Sequence, residues 1–217
     1  FGIFENVTVT KCLMSSRSCA FKFGSESVCD IQDVTVDNCT IKASNRGIGI
    51  QNRYEGNVRN VNFSNIVIES MFASDRWWGR SEPIYVTSYA KQNTHKGNDL
   101  FRFASPESQG ACGEVSNIHF NNILINSENG CFISGDEGKV HDIYFNNVNI
   151  TFKKFNDHEK GKYDRRPYDQ GDDFVVAPVY GAYIDTAKNV VFDFFRVSMG
   201  NPPIDNYAGE FFKNNVQ

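Results

Sequence analysis

An alternating pattern of apolar and polar residues recurs along this chain and predicts β-strands. In each copy an apolar residue occupies every second position, and most copies contain an Asn or Asp at two fixed places. A period of two is typical of a half-buried strand, and the Asn positions suggest that the strand turns a corner. The copies are ENVTVTKC from Glu5, QDVTVDNC from Gln32, RNVNFSNI from Arg59, SNIHFNNI from Ser116, HDIYFNNV from His141 and KNVVFDFF from Lys188.

A second set of short strands is predicted between these copies. Their segments are AFKFG, GIGIQ, PIYVT, GCFIS and GAYID, each headed by a small residue or proline that marks a turn. In register, two ladders of side chains face inward, and one ladder faces outward. The inward ladders are Phe21, Ile48, Ile84, Cys131, Ala182 and Phe23, Ile50, Val86, Ile133, Ile184; the outward ladder is Lys22, Gly49, Tyr85, Phe132, Tyr183.

The spacing between copies predicts the architecture. Successive starts are 27, 27, 57, 25 and 47 residues apart, which indicates a coil of about 25 residues that is lengthened by loops. We therefore predict an all-β fold, a parallel β-helix of about six to seven coils forming one domain over residues 1–217. The loop insertions are 71–82, 90–114 and 153–179, the last being a lid or a solvated excursion. Because the chain starts inside the pattern, N-terminal coils are expected to be missing, and an uncapped first coil would invite association.

Composition excludes several classes of function. The chain has 217 residues, 26 acidic and 22 basic side chains, a net charge of -4, and 24 asparagines against three leucines. This balance argues against disorder and against a nucleic-acid partner. No apolar stretch approaches the length of a membrane span, and no Cys or His spacing of the metal-binding type occurs, so we expect neither a metal nor a cofactor.

The repeat also assigns roles to asparagine and cysteine. Asn38, Asn65, Asn122 and Asn147 share one repeat position and predict a ladder of stacked amides. Asn38 is expected to face inward, whereas the sequon residues Asn62 and Asn149 lie at outward positions and are the candidates for glycosylation. Cys12 and Cys39 share a position on adjacent coils, where either a disulfide or two buried free thiols would fit. Sequons and an even cysteine count are compatible with a secreted protein.

The coils from Glu5 to about Ile150 resemble the C-terminal half of the polygalacturonase-like glycosidases, glycoside hydrolase family 28. The segments that carry the resemblance are ENVTVTKC…CAFKFGSES and QDVTVDNCTI…RGIGIQNR…GNVRNVNFSNIVIES. The resemblance implies a right-handed, single-stranded, pectin-lyase-like β-helix that hydrolyses uronic-acid-containing polysaccharides with inversion. The same architecture is shared by lyases and epimerases.

Two family motifs are altered in this chain. Where the family has GHG, the chain reads Ser18-Cys19-Ala20, and where it has RIK, the chain reads Gly49-Ile50-Gln51. The family's catalytic aspartates precede GHG, so the resemblance implies that their equivalents would lie before Phe1.

Within the chain, Glu82 and Glu128 are the candidate carboxyl pair. Inverting hydrolysis needs two carboxyl groups roughly 6.5–9.5 Å apart, and carboxylates one or two coils apart satisfy this. Both residues come shortly before a predicted strand, although a glutamate at a turn is usually just solvated.

A sugar-binding groove is predicted beside these residues. Trp77 and Trp78 offer aromatic faces to a sugar ring, unless one of them closes the core, and Tyr85 faces outward on the next strand. Arg46 and Arg53 flank the Gly47 strand and, with Lys22, would make the groove basic despite the acidic total. These residues, with Gln51, are the predicted substrate-binding set.

Three functions follow as expectations. The first is a secreted, inverting hydrolase of an acidic glycan, for which the resemblance implies an acid and a base before Phe1. The second is a lyase or epimerase on the same fold. The third is a glycan-binding or structural β-helix without catalysis, suggested by the altered motifs.

Overall fold

The structure, a computed structural model, describes residues 2–91 and 111–216. Within them every regular element is a β-strand, and no helix has the length and apolarity needed to cross a bilayer. The strands are β1 (Phe4–Thr10), β2 (Leu13–Met14), β3 (Cys19–Ser25), β4 (Ile31–Asp37), β5 (Thr40–Ser44), β6 (Arg46–Asn52), β7 (Val58–Ser70), β8 (Ile84–Ser88), β9 (Val115–Ser127), β10 (Cys131–Gly135), β11 (Val140–Phe152), β12 (Lys162–Asp164), β13 (Phe174–Val176), β14 (Val179–Asp185), β15 (Lys188–Met199) and β16 (Tyr207–Asn214).

Two parallel sheets organise these strands. The first sheet has the order β1-β4-β7-β9-β11-β15, with β2 and β5 beside it, and the second has the order β16-β14-β10-β8-β6-β3. Along the chain, segments of the first sheet alternate with strands of the second sheet. Neighbouring strands within each sheet pair in parallel. The fold is thus all-β with parallel sheets, which is compatible with a parallel β-helix.

The predicted inward ladders are confirmed by the register. Phe21 pairs with Ile48, which pairs with Ile84 on the next strand, and Ile133 pairs with Ile184. Ile48, Ile84 and Ile184 are fully buried. Each such side chain contributes roughly 1.5–3 kcal/mol when it is removed from water, so these ladders supply much of the driving force for folding.

A stack of phenylalanine rings fills the core along the first sheet. Phe63, Phe120, Phe145 and Phe192 occupy one register position on neighbouring strands. Their ring centroids lie 5.2, 4.9 and 4.9 Å apart, and the rings are nearly parallel. The repeat places identical rings one strand apart, and stacked aromatic rings stabilise one another beyond the area that they bury.

The predicted asparagine ladder exists, but it lies on the outside. Asn122 donates to Asn65 at 3.2 Å, and Asn147 donates to Asn122 at 3.0 Å. Asn38 is exposed at the same position, so the expectation that it faces inward was wrong. All four have φ between 52° and 55°, a left-handed conformation that interrupts the extended strand and that asparagine tolerates better than most residues.

A second ladder of the same kind lies five residues earlier in each copy. Asn60 donates to Asp33 and Asn117 donates to Asn60, both at 2.9 Å, and all three residues have positive φ. Each long strand therefore bends twice, and each bend is stabilised by the side chain on the neighbouring strand.

Cys12 and Cys39 do not form the disulfide that was one of the two predicted alternatives. They directly precede β2 and β5, whose first residues Leu13 and Thr40 are paired, but all six cysteines are free thiols. Each sulfur is turned towards the backbone two residues earlier: Cys12 donates to the carbonyl of Thr10, and Cys39 to that of Asp37.

The predicted insertions differ in the strands that they connect or contain. Insertion 71–82 connects β7 to β8, whereas insertion 153–179 contains the antiparallel pair β12 and β13. Most of insertion 90–114 lies outside the described residues.

Candidate functional site

The outer face of the second sheet carries the predicted outward ladder. Lys22, Gly49, Tyr85, Phe132 and Tyr183 are paired in sequence from β3 to β14. The rings of Tyr85, Phe132 and Tyr183 stack with centroids 5.5 and 5.6 Å apart.

Insertion 153–179 covers most of this face. Tyr163 of β12 packs over Phe132 and Tyr183, with ring centroids 5.4 and 5.1 Å away. Tyr85 is consequently only 1 % exposed although its side chain points away from the core between the sheets. We call this region the covered part of the face.

Arg46 lies in the covered part and is not available as a groove cation. Its guanidinium lies 3.7 Å from the centroid of the Tyr85 ring, and its Nε is 3.3 Å from a carboxylate oxygen of Glu82. A second nitrogen donates to the main-chain carbonyl of Asp164. Arg46 is 3 % exposed, so its charge is neutralised and shielded from solvent.

Both oxygens of Glu82 accept hydrogen bonds inside the protein. One accepts from the backbone N–H of Asp164 at 2.7 Å, and the other from Arg46 and from the backbone N–H of Arg80 at 2.6 Å. Burial raises the pKa of Glu82, and the Arg46 charge opposes this rise. The carboxylate thus joins insertion 153–179 to the sheet.

Glu128 likewise accepts hydrogen bonds inside the protein with both of its carboxylate oxygens. Its Oε1 accepts from the backbone N–H groups of Phe155 and Asn156 and from the Lys160 ammonium, at 3.0, 2.9 and 2.8 Å. Its Oε2 accepts from the backbone N–H of Phe72 at 2.8 Å and from the Asn156 side chain. Glu128 therefore fixes two insertions, 71–82 and 153–179, at one point.

The sequence did not reveal two side chains that complete these contacts. Asp164 accepts from the backbone N–H of Gly79 at 2.6 Å and pairs with Arg166 at 2.7 Å. His158 stacks on Phe72 at 4.2 Å between ring centroids, and burial and the Lys160 charge lower its pKa to about 4. The only signal in the sequence was the density of charges in the insertion, which does not specify partners.

Lys22, Trp77 and Trp78 form the open part of the face. The two tryptophans are 41 % and 38 % exposed, and the Lys22 ammonium lies 5.7 Å from the Trp78 ring centroid. Lys22 is itself exposed. Partial desolvation of its ammonium group, together with the positive charges of Arg46 and Arg53, lowers the pKa of Lys22.

The backbone beneath the two tryptophans is firmly held. Asn45 donates to the carbonyl of Trp78 at 3.1 Å, and Arg166 donates to that of Trp77 at 3.2 Å. The main chain that carries the two rings is therefore held in place, which lowers the entropy cost of ordering the rings when a ligand binds.

Gln51 and Arg53, also predicted to bind substrate, are buried at the border of the covered part. Gln51 donates to the carbonyl of Arg166 at 2.9 Å, and Arg53 pairs with Asp169 at 3.1 Å. Of the three cations predicted for a basic groove, only Lys22 is exposed.

Cys19, which stands where the resemblance places a histidine, is not an acid–base group at neutral pH. Burial raises its pKa to about 11, and its sulfur lies 3.1 Å from the carbonyl oxygen of Phe21. The described residues contain no group of three or more His, Cys, Asp or Glu side chains that could hold a metal ion.

The glycosylation candidates lie on the first sheet, on a different face. Asn62 is half-buried and accepts a hydrogen bond from Asn121 at 2.8 Å, and Asn149 donates to Asn147 at 3.4 Å.

Comparison with family models, with curated proteins and with solved structures gave no match to this chain.

Proposed function

We propose that this chain is part of a secreted polygalacturonase-like glycosidase and supplies its surface for a uronic-acid-containing glycan. Its fold is proposed to be the right-handed, pectin-lyase-like β-helix of about six to seven coils. The reaction is inverting hydrolysis, in which one carboxyl group protonates the leaving oxygen and a second activates water.

The observation that carries this proposal is the open part of the outer face. Trp77 and Trp78 present aromatic surface to solvent beside the Lys22 ammonium. Aromatic faces pack against the C–H surfaces of sugar rings, and an ammonium group pairs with a uronate carboxylate. Lys22 makes no ion pair with a carboxylate among residues 2–91 and 111–216, so its charge is available to a ligand.

The acid and the base are proposed to be carboxyl groups other than Glu82, Glu128 and Asp164. Glu82, Glu128 and Asp164 are buried, and each already accepts several hydrogen bonds from the protein. To act on a substrate, any of them would have to leave these donors unpaired in a buried site.

The hydrogen bonds that these three carboxyl groups already accept inside the protein favour a second candidate, a β-helix that binds glycan without catalysis. It shares the binding surface of the first candidate and differs only in turnover. A lyase or epimerase is the third possibility and differs in its product.

The test uses the full natural polypeptide with polygalacturonate and with rhamnogalacturonan. Release of reducing ends without absorbance near 235 nm supports hydrolysis, whereas an unsaturated, absorbing product supports a lyase. Binding without any product supports the non-catalytic candidate. Absence of binding to either polymer by the full polypeptide and by the 217-residue chain would overturn the proposal.

A further inference from the structure

Residues 75–80 carry the two exposed tryptophans and contain no strand or helix; we call them the tryptophan segment. In the described part of the chain they make one backbone-to-backbone hydrogen bond, from the N–H of Trp77 to the carbonyl of Ser74 at 3.2 Å. Because local backbone contacts are so few, the conformation of this segment has to be set by side chains from other parts of the fold.

The end of the tryptophan segment nearer to β8 is held by turns that precede strands of the second sheet. Asn45 donates to the carbonyls of Trp78 and Gly79, both at 3.1 Å, and Asn129 donates to that of Arg80 at 3.0 Å. Both asparagines are buried. Residues 78–80 are therefore anchored to the sheet itself.

The other end of the tryptophan segment is held from insertion 153–179. Arg166 donates with one guanidinium nitrogen to the carbonyl of Asp75 at 3.3 Å and with another to that of Trp77 at 3.2 Å. Among the described residues no other group donates a hydrogen bond to either carbonyl. The position of Trp77 therefore depends on a side chain 89 positions further along the chain.

Arg166 is itself oriented by the fully buried Asp164. Its Nε lies 3.0 and 3.1 Å from the two carboxylate oxygens, and its Nη2 lies 2.7 Å from one of them. Such a two-point contact fixes the plane of a guanidinium group, which a lysine cannot reproduce. Asp164 also accepts from the N–H of Gly79 at 2.6 Å, so the pair holds the residues on both sides of Trp78.

The same two residues attach insertion 153–179 to the sheet. The carbonyl of Arg166 accepts from Gln51 at 2.9 Å, and the N–H of Asp164 donates to Glu82 at 2.7 Å. Attachment of the insertion and placement of the tryptophans are therefore linked through one short stretch of chain.

We propose that Arg166 is the positioning residue of Trp77 and Trp78, and that insertion 153–179 thereby regulates binding in the open part of the face. Detachment of the insertion releases the tryptophan pair. A ligand on the pair in turn holds the insertion in place, because coupling between two sites is reciprocal. The regulation of binding rests on the proposed function, whereas the positioning of the tryptophans does not.

The first measurement needs no ligand. The chain contains two tryptophans, Trp77 and Trp78, so its tryptophan fluorescence reports on this segment alone. In the folded 217-residue chain, Arg166→Gln should lower the fluorescence anisotropy and make quenching by acrylamide steeper, because the rings gain nanosecond motion. A merely structural role would lower the unfolding temperature and leave the fluorescence of the folded chain unchanged.

Arg166→Lys separates the guanidinium geometry from the charge. It keeps a positive charge for an acidic ligand but cannot bond Asp164 and two carbonyls at once, so it should show the same fluorescence change as Arg166→Gln. The matched control is Arg165→Gln, since Arg165 donates to the carbonyl of Asp172 and lies over the Tyr168 ring. This control should keep the wild-type fluorescence. If Arg166→Gln does not fold, Arg166→Lys decides.

The second measurement is the affinity for oligogalacturonate, obtained by titration calorimetry. Both Arg166 variants should bind about fivefold more weakly than the wild type, and Arg165→Gln should stay within about twofold of it. Saturating oligogalacturonate should also slow cleavage of the wild-type insertion by trypsin, and it should slow cleavage of Arg166→Gln less.

Wild-type fluorescence in both Arg166 variants would overturn the inference, whatever their affinities. Wild-type fluorescence in Arg166→Lys alone would overturn the role of the guanidinium geometry. A changed fluorescence with unchanged affinity for oligogalacturonate would overturn the regulation of binding. If the fluorescence changes as expected but the wild type does not bind oligogalacturonate, the positioning role is upheld and the proposed function fails.

Discussion

Lys22 and Arg46 show how differently two cations on neighbouring strands of one sheet can be used. Both were predicted to line one basic groove. Lys22 is exposed beside Trp78, whereas Arg46 is buried beneath Asp164 and paired with Glu82. The comparison teaches that the strand register brings the two residues to one region, but a distant loop decides which one can meet a ligand.

The same contrast extends to the two parts of the face. In the covered part, carboxylates and backbone N–H groups are paired with one another, so a change there should alter stability. In the open part, rings and an ammonium group face solvent, so a change there should alter binding with little effect on folding.

The largest expected effect is the loss of stability in Glu82→Ala. The change leaves Arg46 buried with an unpaired charge and deprives two backbone N–H groups of their acceptor. We expect the free energy of unfolding to fall by about 3–5 kcal/mol, measured by urea denaturation at pH 7. The exposed Glu137→Ala variant is the control and should change it by less than about 0.5 kcal/mol. A loss below about 1 kcal/mol in Glu82→Ala would show that the network does not hold the covered part together.

The second effect is a dependence of stability on acid pH through His158. Its pKa is lowered to about 4 in the folded chain, so at acid pH the unfolded chain binds a proton that the folded chain rejects. Stability should therefore fall as pH decreases from about 6.5 to about 4, by about 2 kcal/mol from this residue. His158→Gln should flatten that part of the profile. An NMR titration that finds His158 protonated near pH 6.5 would contradict the prediction.

The third effect is on binding in the open part. Trp78→Ala should weaken binding of an acidic oligosaccharide about tenfold, or about 1.4 kcal/mol, because it removes a rigid aromatic contact. The free energy of unfolding should change by less than about 1 kcal/mol, because the ring is 38 % exposed. Phe194→Ala on β15 is the matched control, since this ring is also exposed but lies on the other sheet. Equal loss of affinity in both variants would place the binding surface elsewhere.

The smallest effect is expected for Lys22→Gln. We expect a loss of affinity of a few fold for an acidic oligosaccharide at low ionic strength, and almost none at 1 M salt, because an exposed charge is screened. Wild-type affinity should also fall as pH rises through the lowered pKa of Lys22, below its usual 10.5. Lys42→Gln on β5 is the control. An affinity that is independent of salt in the wild-type chain would argue against a carboxylate partner for Lys22.

The core of the fold was predictable to the level of single residues. The pairing of Phe21 with Ile48 and of Ile133 with Ile184 followed from aligning the copies, because inward positions recur with a period of two. The position of the Asn38 ladder was predictable along the chain but not its direction. A left-handed residue turns its side chain outward at the bend, and alternation alone does not show this.

The site was predictable only in part. Exposure of both tryptophans fits the prediction of a surface platform, whereas the burial of Arg46, Gln51 and Arg53 could not be foreseen. Their burial depends on β12 and on segment 165–170, which have no repeat and no alternation to align with the sheet.

The sequence by itself determined the repeated strands of the two sheets, their register and the direction of most of their side chains, because these depend on local alternation repeated at coil spacing. Only the tertiary structure decided which outward residues remain open to solvent. The Glu82–Asp164 contact joins residues 82 positions apart, and such a contact depends on buried charges finding partners rather than on any pattern along the chain.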